Sequence, residues 1–193
     1  MIDSSEGKYI LQRLEKELPA HFYYHNVDHT LDVYKCTAAI AGQENVTGKN
    51  LDLLLIAALY HDSGYLLQIA DHETVSSNIA RQALTQFGYS PNEVDAVCNI
   101  IMATRVPQTP TSLLEEIICD ADLDYLGRDD FFTIGQKLFE ELKATGQLND
   151  ADEWNNKQAT FLQQHRYFTK TSVNNRQANQ ERNLNQIIQK STV

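Results

Sequence analysis

The stretch LDLLLIAALYHD, residues 51–62, is apolar almost all the way round a helix and then stops on a histidine and an aspartate. A surface helix shows an apolar stripe, whereas one with no polar side has to be covered by neighbours on all sides. With Thr47 opening it, this segment is expected to be the central buried helix of the fold. A histidine beside an aspartate at its buried end is an expensive place for charge unless the groups are paired or coordinate a metal. Adjacent helical residues point about 100° apart. His61 and Asp62 can therefore address one point only where the helix is ending, and Ser63-Gly64 supplies that ending. The simpler alternative is His61 satisfied by a backbone carbonyl, with Asp62 a loop acid after the helix.

The rest of the chain also patterns as helix. Ser4 or Ser5 can cap a first helix in which Ile10, Leu14 and Leu18 recur every four residues up to Pro19. Asn26 or Asp28 can start a second, with Leu31, Tyr34 and Ala38 on one side and Gly42 after it. Asp71 caps a fourth that ends at Gly88. SPNE at 90–93 is a capping box with proline at the first helical position, and SLLE at 112–115 is another, leading into EIICDADLDYLG. Two more helices are expected over roughly 129–145 and 150–164, and a last one carries Leu184, Ile187 and Ile188. No alternating run of β-branched residues is long enough for a strand. The expectation is an all-α bundle of about eight or nine helices in one domain. Its core would span roughly residues 20–170, with a C-terminal helix over 171–193 packed on it.

Composition narrows the function classes. A chain of 193 residues that is 42% hydrophobic can bury a sizeable core. Its three cysteines lie far apart with no CxxC pair, which fits a reducing compartment rather than a disulfide framework. The charged start MIDSSEGKYILQRLEKELP has no apolar leader region. The longest apolar run, Leu53 to Tyr60, falls far short of the about 20 residues a bilayer needs. A cytoplasmic protein with no membrane partner is expected. The net charge of −10 disfavours a nucleic-acid polymer, which wants clustered Lys and Arg. Residues 165–193 carry +4 and the first 164 carry −14. An anionic substrate would need a metal or that basic tail to offset the repulsion, although the tail reads most simply as a solvated helix face.

Two further places carry chemistry. In Tyr24-His25-Asn26-Val27-Asp28-His29 the two histidines, at i and i+4, share a helix face if the helix has begun by His25. In Cys119-Asp120-Ala121-Asp122-Leu123-Asp124, acids interrupt an apolar helix running from Leu113 to Leu126. Asp122 follows Ile118 at i+4 and inherits the inward face. Asp120 and Asp124 fall on other faces and are expected to meet solvent or to support the site. Two imidazoles and two carboxylates suit Mn, Fe, Co, Ni or Zn better than Ca and leave positions open for water. At an open position a metal acidifies its bound water and polarises a phosphoryl oxygen.

With these elements in place the sequence resembles the HD-domain phosphohydrolases, whose signature is a His on one helix, a His-Asp doublet ending another, and a distant Asp. His29, His61, Asp62 and Asp122 stand at those places, with HDSGY following. DADLDYLG, and the HE of Asp71-His72-Glu73 followed by Ser76 or Ser77, are also similar to the small stand-alone HD proteins. The resemblance covers roughly residues 20–170. It implies an HD-type helical bundle that holds a divalent metal on His29, His61, Asp62 and Asp122. It also implies hydrolysis of a phosphate ester of a small, nucleotide-like molecule by attack of metal-bound hydroxide. YHN before His29 is similar to the opening of the cyclic-nucleotide phosphodiesterase site, where the histidine donates a proton to the leaving oxygen. That role falls on His25, and imidazole near its ordinary pKa suits it.

Departures from the pattern limit the reading. Members with a second protein-held metal carry further histidines. His72 fills one such place, but Thr104 stands at the other, leaving a second ion only a weak Mg or Mn bridged by Asp62 and waters. The guanosine-polyphosphate hydrolases carry a carboxylate pair where this chain has Tyr65. Glu73 either orients the metal-bound water, as a catalytic group, or pairs with a neighbouring helix. Arg105 holds substrate phosphate with His72 or caps a helix C-terminus. No aromatic-and-glutamine purine clamp is legible. Trp154 and Tyr167-Phe168 read as packing anchors, and His21 and His165 as ordinary residues. Rival readings are a catalytically weak HD-fold ligand sensor or partner-binding module, and a di-iron HD oxygenase, which Thr104 disfavours.

Overall fold

The computed structural model describes residues 1–191, in which nine α-helices form and no strand does. They are α1 (Ser5–Glu17), α2 (Val27–Gln43), α3 (Gly48–Tyr60), α4 (His72–Gln86), α5 (Pro91–Ala103), α6 (Leu113–Asp122), α7 (Phe131–Ala144), α8 (Ala151–Gln164) and α9 (Lys170–Ser191). Residues 192 and 193 of the expected last helix lie outside the described residues.

Side chains fix the helix starts. Of the two candidates at each start, Ser4 rather than Ser5 accepts the Gly7 N–H, and Asn26 rather than Asp28 accepts those of Asp28 and His29. The capping box at Ser90 forms, with the Glu93 carboxylate accepting the Ser90 N–H at 2.8 Å. Asp71 stands at the start of α4 but does not cap its backbone. Its φ is +57°, which aspartate tolerates, and its carboxylate takes the Thr74 hydroxyl and Arg105 instead.

α3 is the central helix. Every residue from Leu53 to Tyr60 is buried, and α1, α2, α4, α5 and α6 pack around it. Burying one large apolar side chain is worth about 1.5–3 kcal/mol, so this helix organises the main core of α1–α6. A second, smaller core joins Tyr24, Leu123, Tyr125, Leu126, Phe131, Leu162 and Ile187. The inward histidines and acids sit where the two cores meet.

The segment after α6 departs from expectation. The helix does not run to Leu126; it ends at Asp122, and residues 124–127 form a tight 3₁₀ turn. Of the two places expected for Asp120 and Asp124, solvent or support of the site, neither acid faces solvent, because the C-terminal region covers this end of α6. Asp120, fully buried, accepts the Phe168 N–H (2.9 Å), the Thr169 N–H (2.8 Å) and the Thr169 hydroxyl (2.7 Å). Asp124 pairs with Arg176 of α9 at 2.7 Å. Asp120 thus ties the start of α9 to the helix that presents Asp122. Asp120→Ala leaves three donors at 168–169 without their acceptor, and an expected loss of about 3–5 kcal/mol is checked by urea unfolding. A loss under about 1 kcal/mol would show that the tie contributes little.

Candidate metal centre and its cavity

His61 is the C-cap of α3, just past Tyr60, and Asp62 follows it where the helix has ended, so the two side chains turn toward one point. His61 Nδ1 donates to the Ala58 carbonyl at 2.9 Å, which aims Nε2 at the site. The Ser63 hydroxyl donates to the Tyr60 carbonyl at 2.7 Å and finishes the helix. Gly64 lies so close to the start of α4 that a Cβ there would come within 2.0 Å of the His72 carbonyl oxygen, and its N–H donates to Ser76. Only glycine permits this approach, which fixes His72 beside Asp62. Those contacts account for HDSGY and for the serine that follows the HE pair.

Four side chains from three helices converge. His29 Nε2 lies 3.3 Å from Asp62 Oδ2 and 3.3 Å from Asp122 Oδ1. His61 Nε2 lies 3.2 Å from Asp62 Oδ2, 3.5 Å from Asp122 Oδ1 and 3.4 Å from His29 Nε2. Ligands about 2.1 Å from a shared tetrahedral ion stand about 3.4 Å apart, so these spacings fit one divalent cation. Asp62 Oδ2 is buried with no hydrogen-bond partner among the described residues, although it has two imidazole nitrogens beside it. Such an oxygen is costly unless a cation meets it. His29, His61 and Asp122 form a group able to hold a metal ion, and Asp62 joins them by these distances.

The electrostatics agree. Burial works against the charged form of each group, yet the mutual attraction wins. The His61 charge and the close approach of the His29, His61 and His72 nitrogens hold Asp62 well below the usual carboxylate range. Hydrogen bonds from His29 and His61 bring Asp122 down to about 2. Both imidazoles are raised against burial, His29 chiefly by the Asp122 and Asp62 carboxylates beside it, His61 chiefly by the Asp62 charge. Protons and a divalent cation therefore compete for the same two nitrogens.

Around this cluster the expected residues take distinct places. His72 Nε2 is 3.4 Å from Asp62 Oδ1, the oxygen turned away from the four-residue cluster. Glu73 is buried with an oxygen 3.7 Å from His72 Nε2. Thr104 lines the cavity, but its hydroxyl is spent on the Ile101 carbonyl at 2.8 Å. Among the described residues Arg105 caps no helix end. Its guanidinium binds Asp71 and the Thr74 hydroxyl and stands 3.7 Å from Glu73. His25 lies outside α2, because Asn26 caps that helix, so it does not share a helix face with His29. The bend before α2 nevertheless brings their rings to 5.9 Å.

His25 has a partner the sequence did not disclose. Its Nδ1 bonds Glu141 Oε1, while Glu141 Oε2 accepts the N–H groups of Tyr24 (2.8 Å) and His25 (2.9 Å). Burial would raise the Glu141 pKa, but the His25 bond and charge and those two N–H groups hold it lowered. A signal did exist: Glu141 falls three residues after Leu138 and seven after Ile134, on the apolar stripe of α7. The other ring nitrogen of His25, Nε2, meets the Tyr65 hydroxyl at 3.2 Å, and the Tyr65 ring stacks between His25 and His72. This group faces a cavity of about 270 Å³ that runs from Asp62 and Asp122 to Trp154 and Phe161 of α8.

A family model described as HD domain matches residues 26–124. A solved structure, the crystal structure of Bacillus subtilis YpgQ in complex with ADP, is similar with a TM-score of 0.64. The similarity covers 97% of this chain and 97% of that one at 19% identity. At that identity the likeness concerns the fold. No curated protein matches the chain.

Proposed function

This chain belongs to the HD-domain family, whose members are generally metal-dependent phosphohydrolases, and on that premise we propose that it hydrolyses a phosphate ester of a small, nucleotide-like molecule. The observation that carries the reading is the convergence of His29, His61, Asp62 and Asp122 within 3.2–3.5 Å, with Asp62 Oδ2 left unpartnered. The ADP bound by the structural neighbour is in keeping with a nucleotide-like substrate.

His29, His61, Asp62 and Asp122 would hold a divalent cation from the Mn, Fe, Co, Ni and Zn group, which when bound would supply an acidified water and polarise a phosphoryl oxygen. The chain's own residues do the rest. Asp62 Oδ1 and His72 offer a weaker place for a second ion, Mg or Mn, since Thr104 adds no ligand. His25, fixed by Glu141, presents Nε2 to the cavity as proton donor to the leaving oxygen. Glu73 orients the attacking water from beside His72. Arg105, close to Glu73, meets the outer phosphate oxygens. A small phosphorylated partner, no nucleic-acid polymer, no membrane and a cytoplasmic location complete the proposal. Among the described residues no helix is long and apolar enough to cross a membrane.

The experiment is elemental analysis of the purified protein, then a screen of phosphate monoesters and diesters with the matching metal added. Near-stoichiometric metal with turnover of at least one ester supports the reading. Stoichiometric metal with no turnover leaves the ligand-sensor reading in its place. The raised imidazole pKa values add a pH dependence. Both nitrogens must be deprotonated to bind metal, so affinity is expected to fall as pH drops from 8 through 6, with one to two protons released per ion near neutrality. Calorimetry in buffers of different ionisation enthalpy measures that release, and an affinity that does not change between pH 6 and 8 contradicts it.

A further inference from the structure

One aromatic residue joins the His25 side of the cavity to the metal side. Tyr65 falls four residues after His61, in the short 3₁₀ turn Ser63–Leu66 that follows Asp62. Its N–H donates to the Asp62 carbonyl at 3.1 Å, so the turn that carries it is tied to a residue of the metal cluster. Gly64, wedged against the start of α4, fixes that turn from its other side. The Tyr65 ring is buried, and the Phe22 ring closes on it edge to face at 5.5 Å. It lies 4.1 Å from the His25 ring, tilted by 22°, and 4.2 Å from the His72 ring, tilted by 27°. Contacts of this offset-stacked kind hold each ring's plane against its neighbour.

Hydrogen bonds divide the two nitrogens of His25. The ionised Glu141 carboxylate only accepts, so Nδ1 carries the hydrogen of the neutral ring and Nε2 the lone pair. The Tyr65 hydroxyl, 3.2 Å away, is the donor that meets this lone pair. The bond at Nδ1 alone would leave the imidazole free to pivot about it. The hydroxyl and the stacked face of Tyr65 take that freedom away. We propose that Tyr65 is a positioning residue that registers the His25 imidazole against the metal cluster, from a turn it shares with Asp62. Proton transfer needs such a register, because phosphorus sits at the cluster while the leaving oxygen must meet Nε2. A displacement of about 1 Å between such groups can cost about 10²-fold in rate. The inference rests on the proposed phosphohydrolase reading for the role of His25 as proton donor.

Tyr65→Phe keeps the ring and removes the donor, whereas Tyr65→Leu removes both. Metal content should stay at the wild-type level in each. For alkyl phosphate esters kcat should fall about 10-fold in Tyr65→Phe and about 100-fold in Tyr65→Leu, with KM within about twofold. Nitrophenyl esters, whose leaving group needs no proton, should slow by less than about threefold. In a His25→Ala background Tyr65→Phe should cost nothing further, because the tyrosine acts through His25. A second readout needs no turnover. In the ¹⁵N-labelled, zinc-loaded protein the imidazole signals that vanish in His25→Ala belong to His25, and its Nε2 signal should shift in Tyr65→Phe. If Tyr65→Leu does not fold, Tyr65→Phe, which keeps the buried volume, decides alone. Unchanged kcat on alkyl esters overturns the inference. So does equal slowing of alkyl and nitrophenyl esters, a further loss in the His25→Ala background, or loss of the metal. A shifted Nε2 signal in a protein that turns over no ester upholds the positioning role and removes the phosphohydrolase reading. Ester turnover with kcat and the Nε2 signal both unmoved does the reverse.

Discussion

Asp62→Ala is expected to bring metal content from about one ion per chain to none and to abolish turnover. Asp62 supplies the one buried oxygen among the described residues that lies beside both His29 and His61 with no hydrogen-bond partner. Its other oxygen reaches His72. Removing the carboxylate takes away one ligand and one negative charge from between the two imidazoles, so the remaining His29, His61 and Asp122 compete less well for the cation against protons and lose it on purification. The stability of the metal-loaded protein should fall with it. An ion present at a thousand times its dissociation constant stabilises the folded state by about 4 kcal/mol. For a chain of this length that corresponds to a melting temperature higher by about 8–16 °C. Wild type should lose that increment on chelation, whereas Asp62→Ala should melt at the same temperature with and without added metal. Metal stoichiometry retained in the variant would refute the assignment of Asp62.

His25→Ala is expected to keep the metal and lose most turnover, by about 10²–10⁴-fold, the usual worth of general acid catalysis. The loss should be largest for alkyl esters, whose leaving alkoxide needs a proton, and smaller for nitrophenyl esters, whose leaving group does not. Glu141→Gln should fall between wild type and His25→Ala, at about 10- to 100-fold. The isosteric amide preserves packing around a buried position but weakens the hold on His25 Nδ1 and on the N–H groups of Tyr24 and His25. Equal slowing of alkyl and nitrophenyl esters by His25→Ala would make His25 a positional group rather than the acid. Metal lost together with activity in that variant would place His25 in the metal cluster itself.

What the sequence by itself determined was local periodicity and local chemistry. The unbroken apolar run 53–60 required a central helix, and the proline-bearing capping box at 90–93 marked a start that the structure keeps. Because side-chain direction follows residue number along a helix, His29, His61, Asp62 and Asp122 could be read as inward-facing. Their convergence followed from a doublet placed where α3 ends. The tertiary structure decided which inward faces meet. Glu141 finds His25 across 116 residues of chain, a pairing that no window of sequence contains. Asp120 and Asp124 read as lying on other faces than Asp122, open to solvent or to a supporting role, and α9 with the segment before it covers that side and makes both acids buried anchors. Periodicity specifies a face; only the packing of helices far apart in sequence specifies what that face touches.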